Sequence, residues 1–369
     1  MPLNVNILDS YVMMGLWEDL SPVDTFFKDR YFPTGEGDIF KTKKILVEYR
    51  KGNKGMAPFM MRRADPINVT RQGFEIHDYM PVCIKQSRDL YMDQLEELGF
   101  GEAILTDKTP EQRDAAVVQE DLRLLDDRIT RTEELLCATT MINNGFSVNE
   151  AAGIADDGTL ITGNTASVLY YDPDKGNDGA ITIQAGDKIT KNSDWDAIVK
   201  IIRPMCRSLK RRGLPATDLL VGQDVADVLL NNTVFKALVN TQSGIIISQP
   251  ISLELSKYDG VTLISVINFF GHKLNVISVD EQYEDASGNT QNYFPAKSIC
   301  VTAPGAGHLM YGAASKMDEK TGKVTTIATK RLPDVDVHKK QKMREIWMET
   351  YPLAAPKNYS PWVYGANAV

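Results

Sequence analysis

Four histidines are the first residues to search for acid–base or metal chemistry: His77, His272, His308 and His338. A protein zinc site draws ligands from one helical turn or one tight loop, as in HxH, HxxxH or HExxH, and no two of these residues stand at such a spacing. The cysteines, Cys83, Cys137, Cys206 and Cys300, include no CxxC pair. They read as reduced, mostly buried thiols of a cytosolic product. The run Asp172, Asp174, Asn177, Asp178 departs from the calcium-loop pattern and has no closing glutamate, so it reads as an acidic turn. In PGAGHLMYG, Gly305 and Gly307 are followed by Met310 where a phosphate-cradling loop needs a third glycine, and no helix clearly follows. GxSxG and Walker A patterns are absent. Neighbouring carboxylates such as Asp126 and Asp127 read as solvated helix surface. The expectation is a chain with no catalytic residue, no metal ligand and no cofactor.

The chemistry that remains is charge. The segment KTKKILVEYRKGNKGMAPFMMRR carries Lys41, Lys43, Lys44, Arg50, Lys51, Lys54, Arg62 and Arg63 against Glu48 alone, inside a chain of net charge −8. A strand (ILVEYR), a flexible tip (KGNKG) and a return strand (APFMMRR) would make it a long basic hairpin; a solvated charged loop is the alternative. A hairpin alone is marginal in water, so it needs a surface to rest on. Residues 111–134 carry the opposite balance, with Asp121, Asp126 and Asp127 among eight acids and only four arginines. The acidic chain as a whole is not built to grip nucleic acid over its entire surface.

Stepping outward from these charges, residues 1–33 show no lasting period and contain Pro2, Pro22 and Pro33, which predicts an arm that orders by lying on its own body or on a neighbour. Residues 84–98 are predicted as a helix stopped by Gly99. The strongest element covers 110–144. Thr109 is a good N-cap, Pro110 suits the first turn and Gln112 completes a capping box, while Asn143, Asn144 and Gly145 end it. Such a helix is roughly 50 Å long. Ala115, Val118, Leu122, Leu125, Ile129, Leu136 and Thr140 form its apolar stripe. The heptad lapses at Thr132 and Glu133, so the stripe is predicted to lie on a sheet and not in a coiled coil. Short strands fill 146–190. Residues 191–310 alternate helix and strand as a compact α/β unit, with Ser193 as a helix cap. Residues 311–369 are mostly strand. The start of the sequence has neither the basic n-region of a signal peptide nor a membrane-spanning run.

This order of pieces resembles the Hong Kong 97-type capsid fold of tailed phages and herpesviruses, an α+β architecture. Within that fold the chain resembles the phage lambda E-protein family of major capsid proteins, over roughly residues 25 to 365. The resemblance rests on RYFPTGEGDIF, DDRITRTEELLCATTMINNGFSV, LLVGQDVADVLLNNTVFKAL, FPAKSICVTAP and EIWMETYPLAAPKN, taken in that order. It implies an N-terminal arm (1–33), an extended loop (34–83), a peripheral domain (84–190) with its spine helix (110–144), an axial domain (191–310), and return strands with a C-terminal tail (311–369).

The implied function is that of a major capsid protein. Hexamers and pentamers would form an icosahedral head around double-stranded DNA, which the shell touches without reading sequence. The hairpin starts near residue 36 and leaves no room for a long charged scaffolding helix before it. A separate scaffolding protein is therefore implied, with a portal, a decoration protein as a further candidate, and no membrane. The product would assemble in the host cytoplasm and reside in the virion. Two other readings stand beside this one: a bacterial nanocompartment shell of the same fold, and a soluble α/β enzyme with its site in 191–310. In the capsid reading, the basic hairpin meets the acidic 111–134 helix of an adjoining subunit. Exposed ion pairs contribute only about 0–1 kcal/mol each, so Ile45, Val47, Phe59 and Met60 would hold that contact by burial.

Overall fold

The computed structural model describes residues 13, 23, 25–49, 75–91, 110–154, 160–170, 180–183, 188–193, 195–235, 255, 257–269, 271–285, 288–317 and 322–369. Its longest element is a helix, Pro110–Asn143, of 34 residues, which starts at the proline and stops at the asparagines as the sequence predicts. Asn144 takes the left-handed conformation that closes the helix, at φ 50°. Gly145 follows because a Cβ there would sit 2.2 Å from the carbonyl oxygen of Val168.

The helix lies across a three-stranded antiparallel sheet made of Ile84–Tyr91, Met343–Thr350 and Leu332–His338, with the Met343–Thr350 strand in the middle. Val118, Leu122, Leu125 and Ile129 pack against Val335, Ile346 and Met348, with Met13 in the same cluster. The predicted stripe is thus buried on a sheet of its own chain. Further along the stripe, Leu136 leaves that sheet and joins the main core with Cys137 and Met141.

Residues 84–91 correct the predicted helix over 84–98: they are a strand, paired from Ile84↔Thr350 to Tyr91↔Met343. The period of two is hidden because two alternate positions facing the long helix are polar. Arg88 pairs with Asp121 at 3.1 Å, and Gln86 meets the Arg128 guanidinium at 3.2 Å once its amide is oriented to accept. The hairpin is corrected too. Ile45–Tyr49 pairs antiparallel with Glu75–Tyr79, from Ile45↔Tyr79 to Tyr49↔Glu75. The return strand foreseen at 57–63 is not the partner of Ile45–Tyr49, and residues 50–74 lie outside the described residues.

At the C-terminal end of the expected arm, Phe26–Tyr31 is a short helix, α1, and Phe26, Phe27, Tyr31 and Phe32 are fully buried in the main core of their own chain. Four aromatics in seven residues supply enough apolar area to anchor a segment that has no regular period. The long helix is α2 hereafter.

A six-stranded sheet forms the second body. In spatial order its strands are Ala180–Thr182, Val363–Ala366, Ile299–Thr302, Asp218–Gly222, His272–Val279 and Val261–Phe269. Helices α3 (Trp195–Arg211) and α4 (Gln223–Asn231) cover one face and build a core with Leu219, Val221, Val276 and Val301. The alternate residues Leu220, Ile277 and Cys300 face the main core instead. Ser193 does not cap α3 as predicted; its hydroxyl accepts the Thr190 N–H at 2.8 Å.

Candidate functional site

Helix α2 sorts its charges by face. Asp121, Asp126, Glu133 and Glu134 are buried, whereas Glu120, Arg123, Arg128 and Arg131 are exposed and Asp127 is half-buried. Four of the eight acids read from residues 111–134 are therefore internal. This corrects the expectation that Asp121 and Asp126 face a neighbour: Asp121 is held by Arg88 and Asp126 by Arg331. Of the three, Asp127 alone keeps a partly exposed carboxylate.

Arg331 is the hub of the internal charges. Its Nε donates to Asp126 Oδ1 at 2.7 Å. Its Nη1 and Nη2 fork onto the two oxygens of Glu133 at 2.5 and 3.0 Å. The hydroxyls of Thr130 and Thr350 accept its remaining N–H groups at 3.2 and 3.3 Å. Lys28 Nζ from α1 reaches Glu133 at 2.8 Å, and the Tyr311 hydroxyl reaches it at 3.2 Å. Burial by itself would raise the Glu133 pKa, but Arg331 and Lys28 outweigh it and hold the carboxyl down to about 2. No sequence signal marked this cluster, because its members are some 200 residues apart.

Glu134 does a different job on the next position. Its carboxylate accepts the backbone N–H groups of Phe27 and Lys28 at 2.5 and 2.8 Å, capping α1 from outside. At the C-terminal end of α1, Arg30 Nε and the Tyr31 hydroxyl donate to buried Asp218 at 2.8 and 3.0 Å, on the six-stranded sheet. The short helix is therefore a joint between the spine helix and the second body. Burial, followed by the charge of Glu281, pushes Glu134 up to about 8, and Glu281 itself is raised to about 7 by burial and then Asp259. A folded pKa above the unfolded one gives stability that is complete at low pH and is lost as pH rises through the folded value. Glu134→Gln should therefore flatten most of the stability loss between about pH 4.5 and 8, measured by urea unfolding at each pH, with Glu281→Gln removing a further part between about pH 4.5 and 7. An unchanged slope in the Gln variant would contradict this.

The hairpin residues fall into two groups. Lys41, Lys43 and Lys44 are exposed ahead of the first strand; Lys44 Nζ lies 2.5 Å from Asp78 across the ribbon and lowers that carboxyl's pKa by hydrogen bond and charge. Arg50, Lys51, Lys54, Arg62 and Arg63 lie outside the described residues, as do Phe59 and Met60. Ile45 and Val47 point into the main core of their own chain, which corrects their expected role in holding a neighbour. The outward apolar residues of the ribbon and its exit are Leu46, Ile76 and Met80, exposed by 61%, 53% and 55%.

Among the described residues, no three of His, Cys, Asp or Glu converge as a metal site, and no helix is long and apolar enough to cross a membrane. His308 approaches Asp38 at 3.4 Å, and His338 approaches Glu345 at 3.9 Å. The acidic turn Asp172–Asp178 lies outside the described residues.

A spine helix laid over one sheet, a joined α/β body and a two-stranded ribbon define a shell subunit of the Hong Kong 97 type. The same fold is seen in a chain assigned as a prophage capsid protein of E. coli CFT073, at 16% identity, TM-score 0.62 and 99% coverage of both chains. It is seen again in the capsid of Ralstonia phage GP4, at 8% identity and TM-score 0.52, covering 95% of this chain and 93% of that one. A phage-related protein of Bordetella bronchiseptica RB50 gives 9% identity, TM-score 0.52 and 99% coverage of both chains. No curated protein matches the chain.

The chain belongs to the phage major capsid protein E family, whose model matches residues 9–367. It is a structural protein of the virion, a head-shell subunit that self-assembles, and not an enzyme.

Proposed function

We propose that the subunits join as hexamers and pentamers with the six-stranded body, centred on 191–310, toward the middle of each ring. The basic ribbon of residues 34–83 then reaches over the neighbouring subunit and rests in the cleft beside its spine helix. A separate scaffolding protein and a portal complete the head, and packaged DNA meets the shell without sequence reading. The observation that carries the ribbon's role is its bare apolar side. Leu46, Ile76 and Met80 stand exposed beside a run of positive charge, on the side opposite Ile45 and Val47, which already pack on their own chain. A receiving surface is available where Arg128, Arg131 and Leu135 of the spine helix face Tyr283, Glu284 and Tyr293 across an open cleft of about 1,000 Å³. Glu284 and Asp285 line that cleft and offer the acid, with Asp127 next to Arg128 along the helix.

Reversal of Lys43, Lys44, Arg50 and Lys51 to glutamate should abolish shells in electron micrographs while leaving the subunit's melting temperature unchanged. Adding Asp127→Lys and Glu284→Lys should partly restore assembly. Normal shells from the first variant would refute the ribbon contact.

A further inference from the structure

We infer that the outer face of α3 is a duplex-DNA contact on the inner wall of the shell. The helix carries Lys200, Arg203, Arg207, Lys210 and Arg211 against Asp196 alone, in a chain of net charge −8. Its apolar side, Ile198, Ile201, Ile202, Met205, Cys206 and Leu209, is spent on the six-stranded sheet, so the basic residues occupy the opposite face. Lys200, Arg207, Lys210 and Arg211 are exposed there.

Helix polarity explains only part of this pattern. Lys210 and Arg211 lie in the last turn, where positive charge offsets the helix dipole. Lys200 and Arg207 lie outside that turn and gain nothing from it. The C-terminal carbonyls are served by Arg212 instead, whose guanidinium donates to Ser208 O at 3.3 Å.

The texture of the face favours a polyanion over another protein. Protein interfaces are anchored by apolar and aromatic side chains at their centre. Among the described side chains of α3, from Asp196 to Arg211, no large apolar residue is exposed; Pro204, Arg207, Lys210 and Arg211 wall an open depression of about 560 Å³. From Lys200 to Arg211 the helix rises roughly 16 Å, a length over which duplex DNA presents about nine phosphates. Three or four of them can be met by basic side chains at this spacing without any base being read.

The inference rests on the reading that the shell meets packaged DNA without sequence recognition. Full-length K200Q/R207Q/R211Q, titrated with a 30-base-pair duplex (about three helical turns) over a range of salt, should show a log–log salt slope smaller in magnitude by about 2 to 3. The control K297Q/K339Q/K340Q removes equal charge from exposed lysines elsewhere and should leave the slope unchanged. Equal slopes in all three proteins, or an equal fall in the control, would overturn the inference.

A second measurement places the face in the particle. A photo-cross-linker attached at Arg207→Cys, in a Cys83→Ser background, should capture DNA in filled heads. Capture from Lys339→Cys but not from position 207 would overturn the α3 assignment alone. Capture from neither would overturn it together with the reading that DNA touches the shell.

Discussion

Arg331→Met should cost the folded subunit about 3–5 kcal/mol, the usual penalty for leaving buried carboxylates without their cation. The guanidinium is almost fully enclosed and serves Asp126 and both oxygens of Glu133. Lys28 remains to Glu133 in the variant, but it reaches only one oxygen, and Asp126 loses its ion pair. Arg331→Lys should recover little, because an ammonium cannot reproduce the forked geometry. Urea unfolding at neutral pH should show the midpoint falling with an unchanged slope. The pH profile gives a sharper check. In the parent, the depressed Glu133 pKa of about 2 gives stability that is complete above the unfolded value near 4.5 and lost as pH falls through about 2. In the variant, burial is less well opposed and shifts that carboxyl upward, so mild acidification should recover stability where the parent begins to lose it. A loss under about 1 kcal/mol would mean that the cluster relaxes or hydrates once opened.

Leu125→Asp should do as much damage by the opposite route, putting a charge where only apolar contact exists. Leu125 is 2% exposed between the spine helix and the sheet residues Val335, Ile346 and Met348. Removing its side chain in Leu125→Ala should cost about 2–5 kcal/mol through lost transfer and cavity terms. The aspartate adds an unpaired buried carboxylate, one turn from Asp121 and next to Asp126, and should exceed the alanine loss by several kcal/mol. The expected readout is a subunit that is unfolded or aggregated at room temperature, beside an alanine variant that folds with a lowered melting temperature. Normal shells from Leu125→Asp would contradict the packing of α2 on the three-stranded sheet.

The family assignment separates this chain from a soluble α/β enzyme and from a nanocompartment shell, and it agrees with the order of elements already visible along the chain. How much of each element was visible depended on where its signal lay. The spine helix was legible because its start, stripe and stop are local: Pro110, the 3–4 spacing and the Asn143–Gly145 end all act within a few turns. Four strands of the six-stranded body were legible within 191–310 for the same reason, since TDLLVG and HKLNVISV are short apolar runs bounded by turns; Ala180–Thr182 and Val363–Ala366, which complete the sheet, lie outside that expected unit. The strand Ile84–Tyr91 was not, because two of its inward positions are Gln86 and Arg88, whose partners Arg128 and Asp121 are supplied by another element. The true partner of Ile45–Tyr49 was missed because strand register is a long-range choice, made here by Glu75–Tyr79 and not by the nearer basic run.

By itself the sequence determined the kind of element at each strongly periodic stretch, their order along the chain, and the excess of positive charge in 41–63. It could not determine which way a charge points. Helix α2 reads as acidic over 111–134, but the fold turns Asp121, Asp126, Glu133 and Glu134 inward and leaves mainly arginines outside. Only the tertiary structure decides this. A carboxylate can leave water only where a cation or a set of N–H donors is fixed to receive it. Those receivers, Arg88, Arg331, Lys28 and the first turn of α1, come from parts of the chain that folding alone brings to the helix.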